Sequence, residues 1–156
     1  MTSKSEIKDR KTTVFLGAYL NFTNAQNINC RALATHLDKS KFEVYSLNLF
    51  SGNLPLVDNV KYFRCFQPLR ISKYLGYAWG IYKADVAYLP KTECNQWNRF
   101  LLRLLKRKSF STIEGVLSGT NLTKALKVFR SKEKLLRHYE TFDKLYSITN
   151  FLKEYN

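Results

Sequence analysis

An α/β fold built on a mostly parallel sheet, with helices on both faces, is what the sequence predicts. Three observations carry the expectation. Apolar runs of strand length alternate with stretches of helical spacing almost from end to end. A chain of 156 residues is long enough for one core, because a polypeptide of this size buries roughly 70% of its unfolded surface. With 45% hydrophobic and 15% aromatic residues, and only six Gly and three Pro, it falls outside the disordered, low-complexity and collagen-like classes.

The elements follow in order. Residues 13–20 (TVFLGAYL) are continuous, apolar and flanked by polar segments, which reads as a buried strand. After a polar turn at 21–26, Cys30, Leu33, Ala34 and Leu37 recur at i, i+3, i+4 and i+7, one face of a helix. Residues 42–50 (FEVYSLNLF) are rich in strand formers, a Ser-Gly-Asn loop with Pro55 follows, and 60–66 form a third strand. The connection between those two strands is about nine residues, shorter than a helical crossover, so the pair is either antiparallel or joined by an irregular loop.

Ile71, Tyr74, Leu75, Ala78, Trp79 and Tyr82 keep helical spacing for three turns, and residues 85–89 (DVAYL) are a short strand stopped by Pro90. Residues 97–107 are helical, and 108–113 form a strand ending at Glu114-Gly115. Leu122, Ala125, Leu126 and Phe129 mark a helix, and Leu135, Leu136 and Tyr139 a further one. Residues 145–148 are the last strand, and Thr149 reads as the N-cap of a helix that the chain barely begins. Residues 1–11 are read as a basic N-terminal extension, expected to be disordered, and 12–156 as one domain without internal repeats or linkers.

The formal charge of +14 is uneven. Residues 99–137 alone hold eleven basic groups against Glu114 and Glu133, a local +9. Such a field attracts polyanions, whether nucleic acid, anionic lipid or phosphorylated small molecules. No apolar run approaches the ~18 residues of a membrane span, and the N-terminal stretch lacks the apolar centre of a signal peptide. Cys30, Cys65 and Cys94 are odd in number, widely spaced and in no C-x-x-C pair, which suits thiols in a reducing compartment. The expected location is the cytoplasm, so the N-x-T sequons at Asn21 and Asn121 would have no role.

In an open α/β sheet ligands bind beyond the carboxyl ends of the strands. Two segments there are candidates. Asn24, Ala25, Gln26 and Asn27 open the first helix, whose N–H groups and dipole can hold a phosphate; the same turn is equally compatible with a plain surface loop. Neither the dinucleotide nor the P-loop glycine pattern is present, which excludes the usual dehydrogenases and NTPases. Glu114, at the tip of the fifth strand, can accept a proton or hold a sugar hydroxyl, against the plainer reading of a solvated loop carboxylate. His36 and His138 are both expected to face water. No Ser-His-Asp set, metal-ligand cluster or carboxylate pair is visible.

The segment WNRFLLRLLKRK is amphipathic. On a helix, Trp97, Phe100, Leu101, Leu104 and Leu105 share one side with Leu102 at its margin, and Arg99, Arg103, Lys106 and Arg107 take the opposite arc. One reading is a sheet-covering helix with its charges in water; the other is a basic stripe resting on anionic lipid.

Taken in order, these segments resemble the N-terminal domain of GT-B glycosyltransferases, above all the large retaining family that builds bacterial polysaccharides and glycolipids. The likeness spans residues 12–153. VFLGAYLNFTNAQNINCRALATHL is similar to that family's opening strand, Gly-Gly turn and first helix, with Arg31, Leu33, Ala34 and Leu37 supplying its R-x-L-A-x-x-L pattern. KFEVYSLNL resembles its second strand, ADVAYLP its "yDvvhvh" strand, KSFSTIEG its "kpvvvtiHg" strand and DKLYSITNFLK its "aDriiavSefLk" segment. Asn24-Ala25 stand where the family has Gly-Gly, and Glu114 where it often has His.

The resemblance implies a three-layer, Rossmann-like sandwich that forms one half of a GT-B fold. It implies a hexosyltransferase-type enzyme that moves a sugar from a nucleotide-sugar donor to a lipid-linked or polysaccharide acceptor at the inner membrane face, with no cofactor or metal. Asn24, Ala25, Gln26, Asn27 and Gly115 would contact substrate, Glu114 would act at the transferred sugar or the acceptor, and amide N–H groups near Asn24 would steady the leaving diphosphate. Most donor contacts in such enzymes come from a second domain with a Glu-x(7)-Glu-type motif. The chain ends before one, so the expectation is half of an active site, inactive alone. The competing expectation is a non-enzymatic nucleic-acid-binding α/β module, which lacks a recognition helix, RRM or zinc-finger pattern to support it.

Overall fold

The computed structural model describes residues 10–113, 123, 125–127 and 129–147. Six strands form one sheet: β1 (Thr12–Tyr19), β2 (Phe42–Asn48), β3 (Val60–Arg64), β4 (Val86–Tyr88), β5 (Lys108–Ile113) and β6 (Lys144–Ser147). Their order is β3-β2-β1-β4-β5-β6, and every neighbouring pair is parallel. Helix α1 (Ala25–His36) lies on one face, and α2 (Leu69–Lys83) and α3 (Gln96–Leu104) lie on the other; α4 (Lys132–Tyr139) precedes β6. This is the Rossmann-like α/β sandwich, and the sheet is parallel throughout.

Alternation along β1 divides the core. Val14, Leu16, Ala18 and Leu20 face α1 and meet Cys30, Ala34, Val44 and Tyr88. Phe15 faces the other layer and packs with Leu47, Tyr77, Ile81, Ala87 and Leu89. The β2–β3 pair is parallel despite its short connection, Val44 standing opposite Val60. An irregular crossover on the α1 face is possible because side chains satisfy its backbone: Arg31 donates to the Pro55 carbonyl at 2.6 Å, and the Val57 N–H donates to the Tyr62 hydroxyl at 2.9 Å.

Two aspartates perform the same task at the amino edge. Asp85 Oδ2 accepts from the Thr13 N–H (2.9 Å) and hydroxyl (2.7 Å), fastening β4 to β1. Asp143 Oδ2 accepts from the Ser109 N–H (2.7 Å) and hydroxyl (3.1 Å), fastening β6 to β5. Residues 1–9 of the expected extension lie outside the described residues, but Arg10 reaches Asp85 at 2.9 Å and Lys11 donates to the Lys39 carbonyl.

The helical layer shows which faces of the helices are buried. On α2 the inward line is Ser72, Gly76, Tyr77, Gly80 and Ile81. A Cβ on Gly80 would overlap the Phe15 ring, so the missing side chain is what lets the helix settle onto the sheet. The larger stripe of Ile71, Tyr74, Leu75 and Tyr82 points outward. On α3 the expected apolar side is likewise split. Asn98 and Leu102 are buried, Leu101 and Leu105 are half-buried, and Trp97, Phe100 and Leu104 are exposed. The reason is local: Asn95 caps the helix through the Asn98 N–H, and the Asn98 side chain donates to the Glu93 carbonyl at 2.7 Å, which turns Asn98 inward. The helix also ends at Leu104, short of the expected 107, where Lys106 takes φ 51°.

His138 is not in water. It is half-buried against Phe129, and its Nε2–H donates to the Lys91 carbonyl at 2.6 Å. Burial holds its pKa below the usual value, opposed by that hydrogen bond. His36 is exposed, as expected.

Candidate functional site

Strand order reverses between β1 and β4, because β1 leads to α1 on one face while β4 leads to α3 on the other. That divergence opens the crevice in which α/β folds of this kind bind ligands. The β1–α1 turn on its rim is built by polar side chains that hold backbone. Asn21 is buried, donates to the Leu49 carbonyl (2.7 Å) and accepts from the Leu49 N–H (2.9 Å). Asn27 accepts from the Tyr19 N–H and donates to the Phe22 carbonyl. Arg31 donates to the Leu20 carbonyl. The Asn21 sequon is therefore a buried clamp, and the patterned arginine of the first helix is a loop anchor.

Of the expected contact residues, Asn24 caps α1 by accepting from the Asn27 N–H at 2.7 Å, and Asn27 is buried. Both side chains are engaged within the loop. Ala25 is exposed and Gln26 partly so, and their amides belong to the first helical turn, which has no intrahelical acceptor for them. Gln26 extends across the crevice: its Nε2 donates to the Tyr88 hydroxyl at 3.3 Å, and that hydroxyl meets Thr112 Oγ1 at 3.0 Å. A line of three polar side chains thus joins α1, β4 and β5 at the carboxyl edge. Glu114 and Gly115 lie outside the described residues.

Gly17 and Ala18 form a bulge where the β1–β2 register shifts between Leu16 and Tyr19. The carbonyls this frees are met by side chains, Tyr77 donating to Gly17 at 2.7 Å and Ser46 reaching both Leu16 and Ala18 at 2.9 Å. The bulge presents the Tyr19 hydroxyl, which is buried and finds no hydrogen-bond partner among the described residues. Burial, with Cys65 and Glu93 as lesser causes, pushes its pKa up to about 12, so it remains a proton donor at neutral pH.

Nearby, a cleft of about 290 Å³ is lined by Arg70, Lys73, Tyr74, Thr92, Glu93 and Asn95, with Lys73 and Glu93 paired at 2.6 Å. A carboxylate that accepts and an ammonium that donates, side by side, suit a sugar hydroxyl or a small polar ligand. Among the described residues no group of three His, Cys, Asp or Glu side chains is placed to hold a metal ion. Cys30, Cys65 and Cys94 are all buried and in no disulfide.

The four basic residues singled out on the amphipathic segment are brought together elsewhere. Arg99, Arg103, Lys106 and Arg107 join Lys108, Thr141 and Asp143 around a cleft of about 340 Å³, reaching the amino edge of the sheet. Arg107 is a structural member of that set: it donates to the Tyr82 carbonyl at 3.2 Å and lies 3.6 Å from Asp85. Sequence reading missed Tyr19, Tyr88, Thr112 and the Lys73–Glu93 pair, because each lies within or beside an apolar strand or helix pattern. The signal that could have found Tyr88 and Thr112 is positional, since both lie at the carboxyl ends of their strands. No described helix is long and apolar enough to cross a membrane. No protein-family model matches the chain, and no curated protein is significantly similar to it.

Proposed function

We propose that the chain is the acceptor-side domain of a GT-B glycosyltransferase, one that moves a hexosyl group from a nucleotide-sugar donor to a lipid-linked or polysaccharide acceptor. One observation carries the reading. The five segments that resemble that family fall on β1–α1, β2, β4, β5 and β6 of a parallel sheet with a switch point between β1 and β4. Parallel α/β sheets of this order serve many chemistries, so the fold supports the reading only together with those segments.

The proposed division of labour follows from the rim. Amides of Ala25 and Gln26, at a helix start capped by Asn24, favour an anionic group such as a lipid diphosphate or the departing nucleotide. The Gln26–Tyr88–Thr112 line offers hydroxyl and amide contacts of the kind a glycan accepts. A second domain would supply most donor contacts, and catalysis would rest on positioning and on electrostatic support of the leaving diphosphate.

The test is amide chemical-shift mapping of the chain with a short oligosaccharide or a water-soluble polyprenyl phosphate analogue, and separately with UDP-glucose. Weak, saturable shifts at Ala25, Gln26, Tyr88 and Thr112 are expected with the acceptor analogues, and no tighter response to the nucleotide sugar. Submicromolar binding of the nucleotide sugar by this chain alone would overturn the assignment to the acceptor side.

A further inference from the structure

We infer that the outer face of α2 and α3 is a docking surface for an anionic lipid bilayer. The inference does not rest on the glycosyltransferase reading, since it uses residues on the helical layer rather than the carboxyl-edge crevice. It begins from α2, a helix apolar on two opposite sides. The inner side already completes the core through Gly76, Tyr77, Gly80 and Ile81. The outer side repeats Ile71, Tyr74, Leu75 and Tyr82 at helical spacing, between 44% (Tyr74) and 61% (Tyr82) exposed.

The shoulder of α3 continues that ridge. Trp97 and Phe100 stack with ring centroids 5.9 Å apart, and Leu104 follows one turn on at 63% exposure. Tyr74, Trp97 and Phe100 line a common open depression of about 610 Å³, so the two helices present one band. Contiguous apolar surface on this scale marks a docking site on a protein that does not bury it internally. Trp and Tyr beside aliphatic side chains are also the composition favoured at the lipid headgroup level.

Charge selects the occupant. Residues 69–108 hold nine Lys and Arg against two acids. Both acids are engaged, Asp85 with Arg10 and Arg107, and Glu93 with Lys73. Arg103 is exposed and Arg99 half-exposed on the flank of α3 beside Phe100 and Leu104, where long stems can follow apolar surface while the charged heads stay among headgroups. A second copy docked by a two-fold axis would bring the same cationic rim against itself, which disfavours self-association. A sheet of anionic phosphates complements both the ridge and the rim.

The experiment sediments the full chain with extruded vesicles of phosphatidylcholine alone or with one third phosphatidylglycerol, and follows tryptophan emission. Trp79, packed on Tyr45 and Phe63, is replaced by Phe so that Trp97 reports alone. Binding to the phosphatidylglycerol vesicles only is expected, with a blue shift of Trp97 and quenching by brominated lipid. Arg99→Glu with Arg103→Glu, and separately Phe100→Ser with Leu104→Ser, should each weaken partitioning by about tenfold or more. Lys132→Glu with Lys134→Glu, the same charge change on exposed α4, should leave it within about twofold. Circular dichroism melts verify that each variant is folded.

Failure to bind phosphatidylglycerol vesicles overturns the inference. So does binding that survives Phe100→Ser with Leu104→Ser, which would reduce it to bulk charge. A concentration-dependent dimer abolished by those substitutions would assign the ridge to a second copy. Salt-sensitive binding to duplex DNA, tighter than to the anionic vesicles, would assign the rim to nucleic acid. None of these outcomes bears on acceptor binding at the carboxyl edge, so the two proposals fail separately.

Discussion

The inner and outer sides of the helical layer are both apolar, yet they are built on opposite principles. Inside, α2 uses the smallest residues at its closest approach and one large polar ring, Tyr77, whose hydroxyl satisfies the bulged carbonyl of Gly17. Outside, the same helix and α3 use large, spaced side chains that touch little, and the charges around them are nearly all of one sign. The inner side gives up side-chain volume so that backbone and ring can meet closely. The outer side keeps its volume available. The difference teaches that a hydrophobic stripe reports a helix, while side-chain size reports which way the helix faces.

The largest effect that could break this comparison is on the inner side. Gly80→Leu would drive a side chain into Phe15, which is fully buried and has no room to retreat. The expected loss is about 3 kcal/mol or more, offset only slightly by better helix propensity. It is read as a lower urea midpoint at unchanged m-value. A neutral result would mean that α2 does not seat on β1 through this contact.

Much of the fold was legible because buried strands of a parallel sheet read as apolar runs or as clusters of strand formers, and residues 13–20 stand out for the first reason and 42–50 for the second. The facing of α2 was not, because periodicity has no sign: Ile71, Tyr74, Leu75 and Tyr82 satisfy the spacing as well as the true inner line does. The small residues Ser72, Gly76 and Gly80, four apart, were the available clue. On α3 the buried amide of Asn98 was hidden beside Asn95, Gln96 and Arg99, since a polar residue enters a core only when its partner does, here the Glu93 carbonyl. At the candidate site, the polar turn at Asn24–Asn27 was legible as the opening of the first helix, whereas the hydrogen bonds of its side chains were not. Asn21, Asn24 and Asn27 hold backbone, and that role depends on strand ends brought together only by folding.

A smaller effect separates the edge clamps from both helical faces. The Thr13 N–H and hydroxyl hold Asp85 below the usual carboxylate range against a counteracting burial cost, with Arg10 and Arg107 adding to them. Burial pushes Asp143 upward, but the Ser109 and Lys108 contacts outweigh it and leave that carboxyl below its usual value as well. Groups with depressed folded pKa values stabilise above their unfolded pKa, near 4, and that contribution is lost as pH falls through the folded values. Asp85→Asn should therefore cost about 1 kcal/mol at pH 7, given partial exposure and screening, and almost nothing near pH 2. Denaturation at the two pH values checks it, and an equal cost at both would place the effect in shape rather than charge.

The smallest expected effect sharpens the comparison most. Leu75→Ser on α2 combined with Phe100→Ser on α3 removes two large apolar side chains, each at least half exposed. If the ridge were core in disguise, the pair would cost several kcal/mol, as large-to-small substitutions at filled positions do. If it is an uncovered surface, stability should stay within about 0.5 kcal/mol of the parent, the range of ordinary surface changes. The same urea titration that registers Gly80→Leu decides between these values. The contrast between one glycine and two large side chains on the same layer then measures directly which of its faces the fold uses.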